Sequence, residues 1–164
     1  MNAHFSAPHA AHPGIAEELR GRAFFESLAP EQLERVARKA RRIQLDDGEC
    51  LFSQGDPATR FYLLLRGQSK LFRLAPSGAE KSIQIVTPGN TFAEALMFLQ
   101  QPRYPVGAQA LSRAEAIGID AQDFATMLRG SVDTCFLLLG DISRRLRGLI
   151  QEIANLTLHS ATCR

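Results

Sequence analysis

The feature that most constrains the fold is a series of short apolar-rich runs between Arg41 and Ile119, each separated from the next by a turn signal. The turns contain glycine or proline, as in Asp46-Asp47-Gly48, Gly55-Asp56-Pro57 and Pro76-Ser77-Gly78. Short strands at near-regular spacing with such turns indicate an antiparallel sandwich or barrel. The two runs that flank Pro76-Ser77-Gly78, SKLFRL and KSIQIV, predict the clearest hairpin.

Helical signals flank this β region on both sides. Pro30 followed by Glu31 marks a helix start, because proline fits the first turn and an acid suits the positive end of the helix dipole. After the last strand, Asp120 is a candidate N-cap and Gly130 a candidate C-terminal stop. The sequence therefore predicts a mainly β domain with flanking helices.

A long proline-free stretch then runs from Val132 to the C-terminus, and its apolar residues repeat at steps of four and three. That spacing is typical of the seam of a two-stranded coiled coil. A single amphipathic helix packed on its own barrel would instead show a broader stripe with a period of 3.6, and Leu139 and Ile150 do widen the stripe. We expect both: the first half packs on the barrel, and the full seam forms a homodimer. The seam residues are Ile142, Leu146, Leu149, Ile153 and Leu156.

Bulk composition places the chain among ordinary globular proteins. Its 164 residues, with 45% hydrophobic residues and a net charge of +2, predict one domain plus an extra element and no strongly basic nucleic-acid surface. No apolar run reaches the roughly 20 residues that span a bilayer, and the N-terminus lacks the pattern of a signal peptide. We expect a cytoplasmic protein with no membrane partner. The predicted divisions are a flexible arm (1–14), the β-barrel domain with its flanking helices (15–130) and the long helix (131–164).

An ordered series of motifs accompanies the turns: Asp47-Gly48-Glu49, Phe52 to Pro57, Phe61 to Leu64 and Arg66-Gly67. This series resembles the barrel signature of the sensor half of Crp/Fnr-type transcription regulators, and the run from Ser143 to Leu156 resembles the dimer helix of that family. The resemblance implies a double-stranded β-helix, or jelly-roll-like, barrel of the cyclic-nucleotide-binding-like type, followed by a long dimerisation helix. In this family a helix-turn-helix domain contacts DNA. No such domain is present in this chain, which predicts a fragment of a longer regulator or, alternatively, a stand-alone sensor.

The loop Asn90 to Ala110 corresponds to the loop that grips the phosphate in the cyclic-nucleotide binders of the family. Those proteins read roughly Phe-Gly-Glu-Leu and then Arg-Ser or Arg-Thr, and the arginine neutralises the phosphate. Here Ala93 stands for the glycine, Glu94 keeps the acid, and Tyr104-Pro105 occupy the Arg-Ser positions. On the facing helix, the positions that carry hydroxyl residues in cyclic-AMP sensors match Leu149 and Ile150. Cyclic AMP is therefore not the expected cofactor, and a cyclic-nucleotide-binding domain stays as the last alternative.

The predicted pocket is apolar, and its effector has several interpretations. The predicted lining residues are Phe92, Ala93, Glu94, Leu96, Met97, Tyr104, Pro105, Leu149 and Ile150. In one interpretation these side chains only fill the core and bind no ligand. In a second they bind an unidentified ligand, and in a third they form a site for an apolar cofactor such as haem. The string from Asn90 to Phe98 resembles the Dnr-type branch, nitric-oxide-responsive regulators of denitrification, which implies haem and nitric oxide.

Direct support for a metal is weak in the sequence. Haem iron needs an axial ligand, and the weak candidates are His9, His12 and His159, all outside the predicted strands. A redox role for Cys163 at a seam position is a further alternative. An enzyme is not expected, because a cupin-type metal site needs histidines on the strands and none is there.

Overall fold

The structure is a computed structural model that describes residues 14–162, of which residues 159–162 are described only as helical backbone. The helices are α1 (Ile15–Arg20), α2 (Pro30–Lys39), α3 (Ala95–Leu99), α4 (Ala121–Arg129) and α5 (Val132–Thr162), with a short 3-10 turn at Ala23–Phe25. The strands are β1 (Arg41–Leu45), β2 (Cys50–Phe52), β3 (Arg60–Arg66), β4 (Ser69–Leu74), β5 (Glu80–Val86), β6 (Thr91–Phe92), β7 (Gly107–Ala110) and β8 (Ala114–Asp120).

The strands form two four-stranded antiparallel sheets, in the orders β1-β8-β3-β6 and β2-β7-β4-β5. This arrangement confirms the predicted jelly-roll-like barrel with flanking helices. The predicted hairpin is also confirmed, since β4 pairs with β5 around a turn in which Gly78 has φ 83°. Gly67, with φ 78°, turns the chain between β3 and β4 at a point where an added Cβ would lie 2.4 Å from the carbonyl oxygen of Arg113.

Strand β3 separates two hydrophobic clusters because both of its faces are buried. Phe61 and Leu63 point towards the helices, whereas Tyr62 and Leu64 point into the barrel between the sheets. This alternation explains why the strand reads as a nearly continuous apolar run. The cluster on the helical side, which we call the outer core, holds residues of α1, α2, α4 and α5; the barrel core lies between the sheets.

Capping and ion pairs fix the helices that form this layer. The side chain of Asp120 accepts a hydrogen bond from the backbone N–H of Asp123, as predicted for an N-cap, and α4 ends at Gly130. Asp123 itself lies 3.0 Å from Arg35 and 2.9 Å from Lys39, so it ties α4 to α2. These two cations lower the pKa of Asp123 to about 2, chiefly through the hydrogen bond from Arg35.

The first turns of α5 pack on the helical layer. Leu138 belongs to the outer core together with Phe25 and Phe124. Thr134 is buried and bonds to the amide of Gln32, and the carboxylate of Asp141 accepts a hydrogen bond from Ser27. From Ile142 to Leu158 every residue of α5 is exposed. The part of the helix that packs on its own domain is therefore its first three turns, against helices that cover one sheet.

Candidate functional site

The loop that follows β5 contains a two-residue strand, a left-handed turn and a five-residue helix. Phe92 in β6 is buried, and the next residue, Ala93, has φ 64°. Glu94 precedes α3, whose last turn is closed by Gln100 with φ 51°. Non-glycine residues with positive φ are uncommon and cost about 1 kcal/mol or more. Both ends of α3 are thus held in conformations that the chain does not favour locally.

Tyr104 lies at the centre of the site. Its side chain is buried, and its ring stacks on Phe52 with the centroids 3.8 Å apart. Its hydroxyl donates to the carbonyl oxygen of Arg60 at 2.7 Å and lies 3.4 Å from the hydroxyl of Tyr62. The backbone is also held, because Tyr104 N donates to the carbonyl oxygen of Asp56 at 3.0 Å. The residue is therefore fixed by packing and by hydrogen bonds at both ends.

Three further aromatic rings fill the barrel beside this tyrosine. Tyr62 stacks on Phe52 and Phe92 with centroid distances of 5.6 and 5.4 Å, and Phe52 in turn covers Tyr104. Burial raises the pKa of Tyr62 and of Tyr104, so both phenols stay protonated over the physiological range. The cluster is consequently uncharged.

The arginine that bonds to Tyr104 and the arginine that precedes it both point away from the cavity. The guanidinium of Arg60 donates to the carbonyl oxygens of Lys39 and Gly118, both at 3.1 Å. Arg103, which precedes Tyr104, is exposed and donates to the carbonyl oxygen of Gly55 at 2.8 Å. Neither guanidinium lies on the wall of the cavity that the aromatic cluster borders. Among the described residues, the wall of this cavity has no cation for a phosphate.

That cavity, which we call the inner cavity, has a volume of about 130 Å³. Tyr104, through its hydroxyl, is the one residue of the lining with a polar side-chain group. The lining consists of Phe52, Leu71, Ala93, Ala95, Leu96, Tyr104, Pro105 and Val106. Four of the residues proposed from sequence therefore lie together on its wall. Phe92 is buried in the barrel core nearby, and the half-buried Glu94 is not part of the lining.

A second cavity, which we call the helical groove, lies on the other side of α3. It has a volume of about 220 Å³ and is bordered by α3, α4 and the start of α5. Met97, which the sequence placed in the effector pocket, lines this groove, together with Phe98, Gln100, Ala125, Leu128, Arg129 and Cys135. Helix α3 therefore separates two cavities, with Leu96 on one side and Met97 on the other.

The α5 residues proposed for the site do not line either cavity within one chain. Leu149 and Ile150 are 57% and 58% exposed, and the seam residues Ile142, Leu146, Ile153 and Leu156 are exposed as well. His9, His12 and Cys163 lie outside the described residues, and so does the side chain of His159. Within residues 14–158, no group of three or more histidine, cysteine or acidic side chains is placed to hold a metal ion.

Sequence reasoning missed Phe52 and Tyr62 as members of the site. The alternation of β3, which places Tyr62 on the barrel side, was the available signal for one of them. The groove was missed because it depends on how three separate helices converge.

No helix in the described part of the chain is both long and apolar enough to cross a membrane.

Comparisons with known proteins agree with this fold. Residues 42–131 match the family model described as "Cyclic nucleotide-binding domain". The crystal structure of DNR from Pseudomonas aeruginosa is similar with a TM-score of 0.82 and 34% identity, over 88% of this chain and 64% of that one. The sensor domain of the same regulator, solved separately, aligns with a TM-score of 0.72 and 34% identity over 83% of this chain and 91% of that chain.

Among curated proteins, a CRP-like cAMP-activated global transcriptional regulator of Mycobacterium tuberculosis is 26% identical over 141 residues. The aligned part is 85% of this chain and 62% of that regulator. The cyclic AMP receptor protein of Thermus thermophilus is 27% identical over 87% of this chain and 66% of its own length. The chain thus spans just under two thirds of the length of these two curated relatives.

Proposed function

This chain belongs to the Crp/Fnr family and carries its cyclic nucleotide-binding domain, and we propose that it senses an effector other than a cyclic nucleotide. In this proposal it is the effector-sensing and dimerisation part of a transcription regulator of the Dnr type. In this proposal, DNA would be bound through the helix-turn-helix domain of the regulator. The effector acts in the apolar region around α3, and α5 relays the signal.

The observation that carries the proposal is the position of Tyr104. The family resemblance matches Tyr104-Pro105 to the Arg-Ser positions of the nucleotide binders, and the phenol ring of Tyr104 is buried and hydrogen-bonded. The cavity beside it has no cation and holds about 130 Å³, below the roughly 300 Å³ of typical ligand sites. Burying an unpaired phosphate charge there costs at least about 4 kcal/mol, roughly a thousandfold in affinity.

The resemblance to Dnr-type regulators implies haem as the cofactor, and the residues of the inner cavity do not fit it. Among the lining residues, Tyr104 alone is of a type that ligates haem iron. A tyrosine binds iron as the deprotonated phenolate, whereas burial raises the pKa of Tyr104 and its hydroxyl donates to Arg60. In the helical groove, Cys135 and Met97 are of ligand types. The thiol of Cys135 donates to the carbonyl oxygen of Leu128 at 3.1 Å, and Met97 packs against the outer core. Haem and nitric oxide therefore remain proposals that rest on the resemblance.

The output side of the proposal is a homodimer through α5. The seam residues Ile142, Leu146, Leu149, Ile153 and Leu156 are exposed large hydrophobics on one face of a 31-residue helix. Apolar residues at coiled-coil spacing are buried when two such helices pair. An effector can shift this pairing only through a different affinity for two arrangements of the helices.

One experiment tests effector binding with the 164-residue chain. The protein is titrated with cyclic AMP by calorimetry, and in parallel it is mixed with haem and its absorption spectrum is recorded with and without nitric oxide. We expect no heat of binding for cyclic AMP. A saturable heat with cyclic AMP would overturn the proposal that the effector is not a cyclic nucleotide.

The haem arm decides between two effectors. A haem spectrum that forms at one equivalent and changes with nitric oxide would assign the nitric-oxide input. A spectrum equal to that of free haem in buffer would refute the haem input and leave a sensor with no ligand or with an unidentified one. The Tyr104→Phe variant serves as the control, because it removes the hydroxyl that could ligate iron and keeps the ring.

A further inference from the structure

Helix α5 carries apolar residues outside the seam as well as in it. With Leu139, Leu146 and Ile153 at the a positions of the heptad, Ile142 and Leu149 fall at d. The three residues 136–138 then fall at the successive positions e, f and g. Phe136 at e is 70% exposed and Leu138 at g is 5% exposed.

The exposure of these neighbours tells which side of α5 its own domain occupies. Leu138 at g is buried in the outer core, and Thr134 and Asp141, both at c, bond to Gln32 and Ser27. The domain therefore packs against the c and g side of α5. Phe136, at e, points away from it.

When the α5 helices of two protomers pair, the exposed e side of each helix lies against the domain of the other protomer. In a parallel two-stranded coiled coil, the g positions of one helix lie next to the e positions of the other. Because each domain sits on the g side of its own helix, the e side of the partner helix faces that domain at the same height. The partner subunit's Phe136 then lies beside the part of the domain that is next to the seam.

The helical groove is the feature of the domain at that place. Cys135, at a d position and thus on the seam side, forms part of its wall, with Leu128 from α4 and Met97 and Phe98 from α3. The groove has a volume of about 220 Å³, which is enough for a phenyl ring, and Phe98 leaves about half of its own side chain exposed at the edge. Ring, groove and seam are therefore continuous.

We propose that Phe136 of each protomer inserts into the helical groove of the other and packs against α3. This inference rests on the proposed dimer and names a contact through which the dimer acts on the sensing loop. Because Leu96 of α3 lines the inner cavity and Met97 lines the groove, the same five-residue helix contacts the effector region and the partner subunit's Phe136. An effector that displaces Leu96 changes the part of the groove that this ring contacts.

A first experiment measures dimerisation by sedimentation equilibrium for Phe136→Ala and Leu137→Ala. Leu137 is the matched control, since it is the next residue, is also exposed, and lies at f, opposite the seam. Each ring removed from water contributes about tenfold to affinity and a dimer has two, so Phe136→Ala should raise the dissociation constant roughly a hundredfold. Leu137→Ala should leave it unchanged. Equal constants for the two variants would overturn the proposal.

A second experiment locates the ring. In a background with Cys50→Ser, Cys135→Ser and Cys163→Ser, one protein carries Phe136→Cys and another, of different mass through a fused tag, carries Phe98→Cys. The two are mixed and oxidised with copper phenanthroline, which takes up the electrons as two thiols become a disulfide. We expect a crosslinked heterodimer from this pair. Pairing Phe136→Cys with Ile83→Cys on β5 should give none.

A third variant, Ile142→Cys alone, reports whether the seam itself forms, and so separates this inference from the proposed dimer. Crosslinking through Ile142→Cys without crosslinking to Phe98→Cys would overturn the groove contact and leave the dimer standing. A protein that sediments as a monomer and forms no Ile142→Cys crosslink would overturn both. Crosslinking of Phe136→Cys to Ile83→Cys instead would place the partner helix on the β4–β5 hairpin and refute the groove contact.

Discussion

Replacing Tyr104 by alanine tests the central claim that a packed side chain has taken the place of a ligand contact. The variant loses a ring that stacks on Phe52 at 3.8 Å and a hydroxyl that donates to Arg60 at 2.7 Å. Truncating a buried aromatic residue costs about 3–5 kcal/mol, and the hydrogen bond adds about 1 kcal/mol. For a chain of this size, 1 kcal/mol corresponds to about 2–4 °C in Tm, so the ring alone predicts a fall of roughly 6–20 °C.

The magnitude can be divided between ring and hydroxyl with Tyr104→Phe. This variant keeps the stack on Phe52 and loses the bond to Arg60, so it should lower Tm by only about 2–4 °C. Both variants are measured by circular dichroism during heating and by urea unfolding. A Tyr104→Ala protein with an unchanged Tm would mean that the ring does not fill the barrel as the structure shows.

Adding a small phenol back gives a second readout. The space left by Tyr104→Ala adjoins the inner cavity, so p-cresol should bind there and stabilise the variant. At ten times its dissociation constant, a ligand of the folded state adds about 1.4 kcal/mol, or a few degrees in Tm. Tyr104→Phe, whose ring still fills the site, should not respond. An equal gain for both variants would refute the cavity reasoning.

Three further predictions concern the helices and the loop. The pKa of Asp123 is lowered to about 2 from 3.8, so its stabilising effect is complete above pH 4 and is lost as the pH falls towards 2. In urea unfolding, Asp123→Asn should therefore lower the free energy of unfolding at pH 7 and change it little at pH 2. Asp133→Asn, at an exposed position, is the control. Ala93→Val should lower Tm by more than 4 °C because a β-branched residue fits poorly at φ 64°, whereas Ala95→Val, on the exposed start of α3, should lower it by less than 2 °C. Leu149→Asp should shift the protein to monomer in analytical ultracentrifugation while Gln151→Asp, which adds the same charge opposite the seam, should not; an unchanged dimer in Leu149→Asp means that the seam is misassigned.

Much of the fold could be predicted because its signals are local. Glycine and proline mark the turns, and the N-cap of Asp120 needs only three residues to form. Strand β6 has two residues and carries no periodicity that could identify it. The order of strands within each sheet likewise depends on pairings between distant segments, such as β1 with β8, that no local pattern encodes.

The site was predictable to the extent that one loop determines it. Ala93, Leu96, Tyr104 and Pro105 come from this loop and do line one cavity. Phe52 joins them because β2 belongs to the other sheet and faces the same interior. Met97 follows Leu96 directly, and adjacent residues of a helix point about 100° apart, so one of the two had to leave the inner cavity.

The same helix geometry explains why α3 is suited to carry a signal. It has five residues, none of them fully buried, and it is bounded by left-handed residues at Ala93 and Gln100. A helix of one turn and a half makes few hydrogen bonds, so moving it costs less than moving α4 or α5. In the proposed mechanism, an effector larger than about 130 Å³ enters the inner cavity by displacing part of its wall, and Leu96 belongs to that wall. Because Leu96 and Met97 share one turn of α3, a shift of Leu96 would also change the helical groove. The proposed sensing role of α3 therefore does not depend on a phosphate-binding arginine.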